Sequence, residues 1–327
     1  MRKSAIACVA IGTTALLVSS AAPASAQRLP FERSFDVKRP AILDVSTDRG
    51  KIDVSVGEQD HIVVVGTVTI RIGWDVPADA ADLARKVAEQ PPVQQEGDTI
   101  RLRSPVNDAE RRAVIVSYQV RVPRETRVRT ASDSGATMVD GVGGPVVVHT
   151  QSGSIGLQRL GGTAEVRTGS GAVSIDGVAG ALTVTTASSA FTGRSLHADL
   201  RVRTNSGAID ARLVGAGDVD VETASSQIVL RGVDGGLTAT TQSGQITVEG
   251  LPRNPWSVST GSSSVDVDLA STTGVDLRAT SDSGSVTVTG TSLQGSVTKG
   301  HAEGTMGGGG PLVRLTTRSG SIRVKRS

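Results

Sequence analysis

Six aromatic side chains in 327 residues (three Phe, two Trp and one Tyr) are too few to fill a conventional globular interior. A core must then be assembled from Val, Ile, Leu, Ala and Thr, and it must be thin and repetitive. Cysteine is nearly absent as well. The single Cys8 lies in a leader-like stretch, so the processed chain would carry no disulfide, thiol chemistry or cysteine metal site. Neither sign of charge dominates, with 34 Lys and Arg against 32 Asp and Glu. No apolar run of about 20 residues follows the leader, which excludes a membrane-spanning helix in the mature chain. This composition excludes a disordered charged tail and a disulfide-stapled mini-protein. The length would accommodate two ordinary domains, so burial is not limited by size.

Residues 1–26 read as a signal peptide. Arg2 and Lys3 form the basic start, residues 5–18 an apolar stretch, and Ala24-Ser25-Ala26 an A-x-A cleavage site that leaves Gln27 first. Ala5-Ile6-Ala7 before Cys8 makes a poor lipobox, so a lipid anchor is not expected there. The expected location is the periplasm, the cell surface or the exterior. Cleavage removes two bases and no acid, bringing the mature chain to a net charge of zero. Nucleic-acid binding, which rests on phosphate neutralisation, is therefore not expected.

Turning to what is present, a repeat takes precedence over every other signal. Its marker is Thr-x-Ser-Gly or Thr-x-Ser-Ser, seen at Thr150-Gln151-Ser152-Gly153, Thr168-Gly169-Ser170-Gly171, Thr186-Ala187-Ser188-Ser189 and Thr204-Asn205-Ser206-Gly207. Further copies end at Ser226, Gly244 and Ser263, with degenerate or late ones ending at Gly135, Gly284 and Gly320. The spacing is 18 or 19 residues up to Ser263, then 21 to Gly284, and finally 36 to Gly320, which reads as two periods.

Apolar residues keep fixed offsets from the marker. Ile155 and Leu157 follow Gly153, then Leu160, Ala164 and Val166; Val173, Ile175, Val178, Leu182 and Val184 follow Gly171 in the same way. Each period thus holds two short alternating strands joined by Gly-rich turns, and leaves no room for a helix. One coil cannot offset the entropy of ordering its backbone, so coils must stack. The predicted fold is all-β: a right-handed parallel β-solenoid of about 18-residue coils, the hand following from the crossover rule. Ile155, Val173, Ile209, Ile228, Ile246 and Val265 should form one inward ladder. The marker's last position alternates between Gly and Ser, which points to a corner that admits only small side chains rather than to a left-handed backbone.

The same offsets appear earlier, in Leu43, Val45, Thr47, Gly50, Ile52 and Val54, so the solenoid is expected to begin near residue 42. Residues 57–125 then form an early elaboration. It holds strand-like stretches at 61–72, 99–103 and 113–122, and a short helix at 78–89 bounded by Pro77 and by Pro91-Pro92. Ala81, Leu83, Ala84, Val87 and Ala88 supply that helix with an apolar face to cover an open coil end. The organisation is therefore 1–26 leader, 27–130 β-rich cap and first coil with the inserted helix, and 131–327 repetitive solenoid.

The leader, the strand-rich start with Val122-Pro123, the Ser-Gly-x-Ile-x-Val repeats and the closing Leu315-Thr316-Thr317-Arg318-Ser319-Gly320-Ser321-Ile322-Arg323-Val324 resemble a bacterial β-strand-repeat family of unknown function labelled "putative adhesin". The resemblance covers nearly the whole mature chain. It implies surface adhesion and brings no catalytic residue with it.

Catalytic chemistry is hard to find. His61, His149, His197 and His301 have no metal-ligand spacing, and no nucleophile elbow or phosphate loop occurs. Ser296-Val297-Thr298-Lys299 matches S-x-x-K only formally. No catalytic residue, metal site or cofactor is expected. The first alternative is a polysaccharide-active β-helix enzyme, which would need clustered carboxylates and sugar-stacking aromatics. Asp266 with Asp268, and Asp220 with Glu222, are the available carboxylate pairs. After residue 130, Phe191 falls at an inward offset and Trp256 is left as the one platform. The second alternative is a periplasmic envelope-stress accessory protein. The preferred reading is an exported, non-catalytic interaction scaffold of the cell surface or envelope. Its candidate binding residues are Arg194, Arg212 and Arg231, each five residues after the marker's end in consecutive coils. Aligned like charges are unfavourable, so an anionic envelope glycan, a lipid headgroup or another envelope protein could be what they hold. The competing explanation is that Asp210, with Asp176 and Glu249 at the flanks, neutralises the column.

Overall fold

The computed structural model describes residues 28–197, 199–272, 274–290 and 292–327. The leader and its cleavage site lie outside these residues. The rest is a parallel β-solenoid in which each rung contributes one strand to an entry ladder, turns at the marker, and contributes a second strand to an exit ladder. In the exit ladder Ile155 pairs with Val173, Val173 with Phe191, Phe191 with Ile209, Ile209 with Ile228, Ile228 with Ile246 and Ile246 with Val265. All seven are buried. The expected inward ladder is therefore present, with Phe191 as its one aromatic member. Two rungs are drawn into long strands, Ile228–Thr241 and Ile246–Thr260, which stay paired through the bend between ladders.

The marker's residues have distinct tasks. Its Thr faces inward at the end of the entry strand, where its hydroxyl accepts a bond from the backbone N–H three residues on: Gly153 N to Thr150 Oγ1 at 3.0 Å, Ser189 N to Thr186 Oγ1 at 3.1 Å, Gly244 N to Thr241 Oγ1 at 3.1 Å. A buried polar group is thereby satisfied locally and the corner is fixed. The final Gly sits against the preceding rung. A Cβ on Gly171 would lie 1.8 Å from the carbonyl oxygen of Gly153, and one on Gly207 1.7 Å from that of Ser189. Close approach selects glycine here, and the backbone is not left-handed.

Both ends depart from simple stacking. At the N-terminal end, Ile42–Thr47 pairs on one side with Arg127–Ser132 and on the other with Thr99–Leu102. Likewise, Ile52–Val56 lies between Thr137–Asp140 and Val114–Val122. The elaboration is thus more than a cap: it supplies an extra rung beyond the first one in sequence. That outer rung is closed by antiparallel strands. Val93–Glu96 lies on Thr99–Leu102, His61–Ile70 on Val114–Val122, and Arg28–Asp36 on His61–Ile70.

The C-terminal end repeats the device. Leu312–Thr317 fits between Trp256–Thr260 of the entry ladder and Val275–Ser281, while Ile322–Arg326 fits between Val265–Leu269 and Val286–Thr289. The chain therefore skips one rung height after Leu269, builds the outer rung, and returns to fill the gap. This corrects the reading of the 36-residue interval from Gly284 to Gly320 as two stacked periods. It holds instead the outer strand Val286–Thr289, a hairpin of Gln294–Val297 with His301–Met306, the latter antiparallel to Val275–Ser281, and the first strand of the returning rung. The return passes through Gly307, Gly308 and Gly309 at φ 62, 92 and 86°, a left-handed run that side chains would oppose.

In the N-terminal cap Phe31, Gly66 and Tyr118 are register partners across three strands. Phe31 covers the bare glycine and meets Tyr118 edge to face at 6.2 Å. Tyr118 donates its hydroxyl to the Arg103 carbonyl at 2.7 Å. The inserted helix spans Ala80–Glu89, two residues shorter at its start than expected, because the Ala80 N–H is engaged by the Pro77 carbonyl at 3.1 Å. It buries Ala80, Ala84 and Val87 against the cap strands, whereas Ala81 faces solvent. A second short helix, Asp108–Ala113, was not expected; Asn107 caps it by accepting from the N–H of Ala109 at 2.8 Å. One buried apolar cluster runs through residue 130, from Val54 to Val128 and Val139.

Candidate functional site

Arg194, Arg212 and Arg231 project outward from adjacent exit strands, Phe191–Leu196, Ile209–Leu213 and Ile228–Thr241. With Thr192, Gly193 and Asp210 they line a shallow depression of about 370 Å³. Arg212 and Arg231 are register partners. Arg194 is offset by a bulge: Ser195 adopts φ 52°, the register shifts after Gly193, and Leu196 regains its place opposite Leu213. Sequence spacing alone therefore brought together three residues that the fold also brings together, though not in a perfectly straight column.

The counter-charges are distributed differently from the expectation. Asp210 does not pair with Arg212 on its own strand but with Arg231 on the next, Oδ1 to Nη1 at 3.0 Å. Asp176 is in register with Arg194 and Glu249 with Arg231, yet neither forms an ion pair with them. Among the described residues, Arg194 and Arg212 have no ion-pair partner. An exposed pair such as Arg231 with Asp210 contributes only about 0–1 kcal/mol. Two guanidinium groups on adjacent strands remain outside any ion pair.

Several other outward charges are matched from rung to rung. Asp266 meets Arg323 at 3.0 Å, Asp268 meets Lys325 at 3.5 Å, and Asp220 meets Arg201 and Arg203 at 3.1 and 3.0 Å. Glu222 also pairs with Arg203. The carboxylate pairs that an enzyme would require are therefore held by cations of the neighbouring rung. Trp256 is no platform: it is 1% exposed, lies between Leu237 and Val313 in the entry ladder, and donates Nε1 to the Gly235 carbonyl at 2.9 Å. His61 approaches Asp36 at 2.7 Å and His301 approaches Glu303 at 3.4 Å. Among the described residues no three His, Cys, Asp or Glu side chains are grouped to hold a metal ion, and no helix is long and apolar enough to cross a membrane.

Among the aromatics the sequence reading left unplaced, one is fully exposed. Trp74, on the loop after His61–Ile70, is 99% exposed. Its signal was an Ile-Gly-Trp run that fits neither strand alternation nor the helix that follows.

Residues 93–325 match the family described as Toastrack DUF4097. The chain belongs to that family. The matched range takes in the extra N-terminal rung and the threaded C-terminal one, and leaves out the strands and helix before residue 93. Two solved structures are similar over most of their length. One is described as a "putative cell adhesion protein" from Clostridium sporogenes ATCC 15579, at 13% identity, TM-score 0.20, covering 91% of this chain and 100% of that one. The other is described as a "putative adhesin" from Bacteroides fragilis NCTC 9343, at 11% identity, TM-score 0.27, covering 91% and 97%. No curated protein matches the chain.

Proposed function

We propose that this Toastrack protein is an exported, non-catalytic β-solenoid that serves as an adhesin-like interaction scaffold at the cell surface or in the envelope. The observation that carries the reading is the pair Arg194 and Arg212, neighbours on adjacent strands and neither in an ion pair, although several charges on the same face are matched from rung to rung. The hydrogen-bonded ladder fixes the spacing of their backbones before any ligand arrives, so binding costs side-chain rotamer entropy but no backbone ordering. Guanidinium groups bind carboxylate, phosphate and sulfate in forked geometry, which suits an acidic glycan or an anionic lipid headgroup. Ion pairing of Asp220, Glu222, Asp266 and Asp268 favours a scaffold over a carboxylate-dependent glycan hydrolase.

The test compares the protein with its R194Q/R212Q/R231Q variant for binding to acidic envelope glycans and to vesicles containing phosphatidylglycerol, at low and moderate salt. Salt-sensitive binding that weakens about tenfold or more in the variant is expected, the loss of at least one charge-assisted bond. Absence of salt-sensitive binding, or full retention by the variant, contradicts the reading.

A further inference from the structure

A second opening lies in the N-terminal cap, away from the arginine depression. A cleft of about 350 Å³ forms where the marker corner of the first rung in sequence meets the loop after His61–Ile70 and the start of the second helix. Its walls are fixed by internal pairs. Arg71 donates to the Arg112 carbonyl at 3.0 Å and lies 3.5 Å from Asp75. Arg111 bonds Asp108 at 2.5 Å and holds that carboxyl below the usual carboxylate range. The backbone N–H of Asp48 donates to the Ser104 hydroxyl at 3.0 Å, tying the corner to the opposite wall.

With those pairs made, two carboxylates and two guanidinium groups are left to line the cleft: Asp48, Asp133, Arg49 and Arg112. Among the described residues none of the four has an ion-pair partner. Their charges sum to zero. Apolar residues stand next to the lining in sequence: Ile72 and Trp74 lie on the loop between Arg71 and Asp75, and Val106 follows Pro105, with Arg71, Asp75 and Pro105 lining the cleft. At 86, 99 and 88% exposure Ile72, Trp74 and Val106 are the three most exposed large apolar side chains among the described residues.

These features together select a ligand. An anion would face Asp48 and Asp133, and a cation would face Arg49 and Arg112. A bilayer pressed onto this loop would strip water from the charged residues that line the adjacent cleft, at a cost of several kcal/mol. A neutral sugar meets every requirement. Its hydroxyls donate to carboxylates and accept from guanidinium groups, and its apolar face stacks on an exposed indole. The volume falls within the range of small-molecule sites. We propose that this cleft binds a neutral sugar unit of a glycan, with Trp74 as the stacking surface and Asp48, Asp133, Arg49 and Arg112 as the hydroxyl partners. The inference rests on the reading of the chain as a binding protein, but it concerns a different surface and an uncharged ligand.

The chain holds two tryptophans, and Trp256 is buried, so the acrylamide-accessible tryptophan emission comes from Trp74. The experiment titrates the protein with neutral oligosaccharides of glucose, mannose and N-acetylglucosamine, and separately with phosphatidylcholine vesicles. Saturable protection of Trp74 from acrylamide by at least one of the sugars is expected, with calorimetric affinity falling about tenfold or more in W74A and in D48N/R112Q. Protection by none of the sugars overturns the proposal. So does affinity unchanged in D48N/R112Q, or protection by vesicles but not by sugars. Because the probes carry no net charge, failure of the anionic-polymer test leaves this result untouched, and the reverse also holds.

Discussion

In the middle of the molecule, from Val146 to Val267, order along the chain and order along the stack coincide. At both ends they part. The first rung in sequence, at 42–56, lies second from the N-terminal end, and the last, at 312–326, lies second from the C-terminal end. In each case the outermost rung comes from an interior stretch of sequence and is closed by antiparallel strands. The difference follows from what an end has to solve. A middle rung has a partner on each side, whereas an end rung exposes a row of unpaired backbone groups that invites other chains. A terminal segment at that edge would also fray. At the C-terminal end, threading the segment one rung inward removes the fraying, because its two strands then pair on both sides, whereas at the N-terminal end the terminal strand Arg28–Asp36 is itself part of the antiparallel cover. The ends differ in material: the N-terminal one uses helices and the Phe31–Tyr118 contact, the C-terminal one a glycine-rich hairpin and return.

The sharpest way to break this comparison is to end the chain at Gly310. An ordinary solenoid would lose only its last rung. Here the deletion removes an interior one, with Val313, Leu315, Ile322 and Val324 all buried. At roughly 1.5–3 kcal/mol per aliphatic side chain the loss exceeds about 6 kcal/mol, and Val275–Ser281 and Val286–Thr289 lose their support as well. Thermal unfolding should show the C-terminal third melting separately or failing to fold. A variant that unfolds in one transition close to the parent would contradict the threading.

A middle rung gives the reference. I228D places a charge at a fully buried position between Ile209 and Ile246, and should cost more than about 4 kcal/mol. V229D, on the half-buried outer position beside it, should cost under about 1 kcal/mol. Equal shifts in the two denaturant curves would refute the register.

This register was legible in the sequence because the Ile and Val offsets repeat with the marker. The same regularity hid the threading. Ile322 makes an equally good neighbour for Val265, Val286 or any other inward aliphatic, so local pattern does not say which rung lies beside which. Only the intervals of 21 and 36 residues marked the anomaly, and the first of them is the longer step over a rung height filled later. The burial of Trp256 was available too: it lies four residues before Thr260, as Leu182 lies before Thr186 and Leu237 before Thr241. Arg194, Arg212 and Arg231 were legible for the same reason as the core. The partner of Asp210 was not, since a choice between Arg212 and Arg231 depends on diagonal reach across strands. The cleft at Trp74 was illegible, because its lining comes from segments that only the extra rung brings together.

A smaller effect separates the N-terminal cap from the rest. Burial pushes the Tyr118 phenol above the ordinary tyrosine value of 10.0. A raised folded-state pKa means that the unfolded chain releases the proton first, so stability should fall as pH rises above that value. One such group gives at most about 1.4 kcal/mol per pH unit. Y118F should lose about 1 kcal/mol at neutral pH through the bond to Arg103, and should lack this part of the alkaline decline. Parallel declines in parent and variant would show that Tyr118 is not the group responsible.

The threading itself is tested most directly by cysteine pairs in a chain whose only native cysteine, Cys8, is changed to Ser. Asp266 and Arg323 are register partners on neighbouring strands, which lie about 4.8 Å apart and within disulfide reach, whereas Asp266 and Thr287 are separated by the intervening strand. Under mild oxidation D266C/R323C should cross-link readily, with no disulfide in D266C/T287C. Efficient cross-linking of D266C/T287C, with none in D266C/R323C, would mean that the rungs stack in the order of the sequence and that the C-terminal rung is not threaded inside.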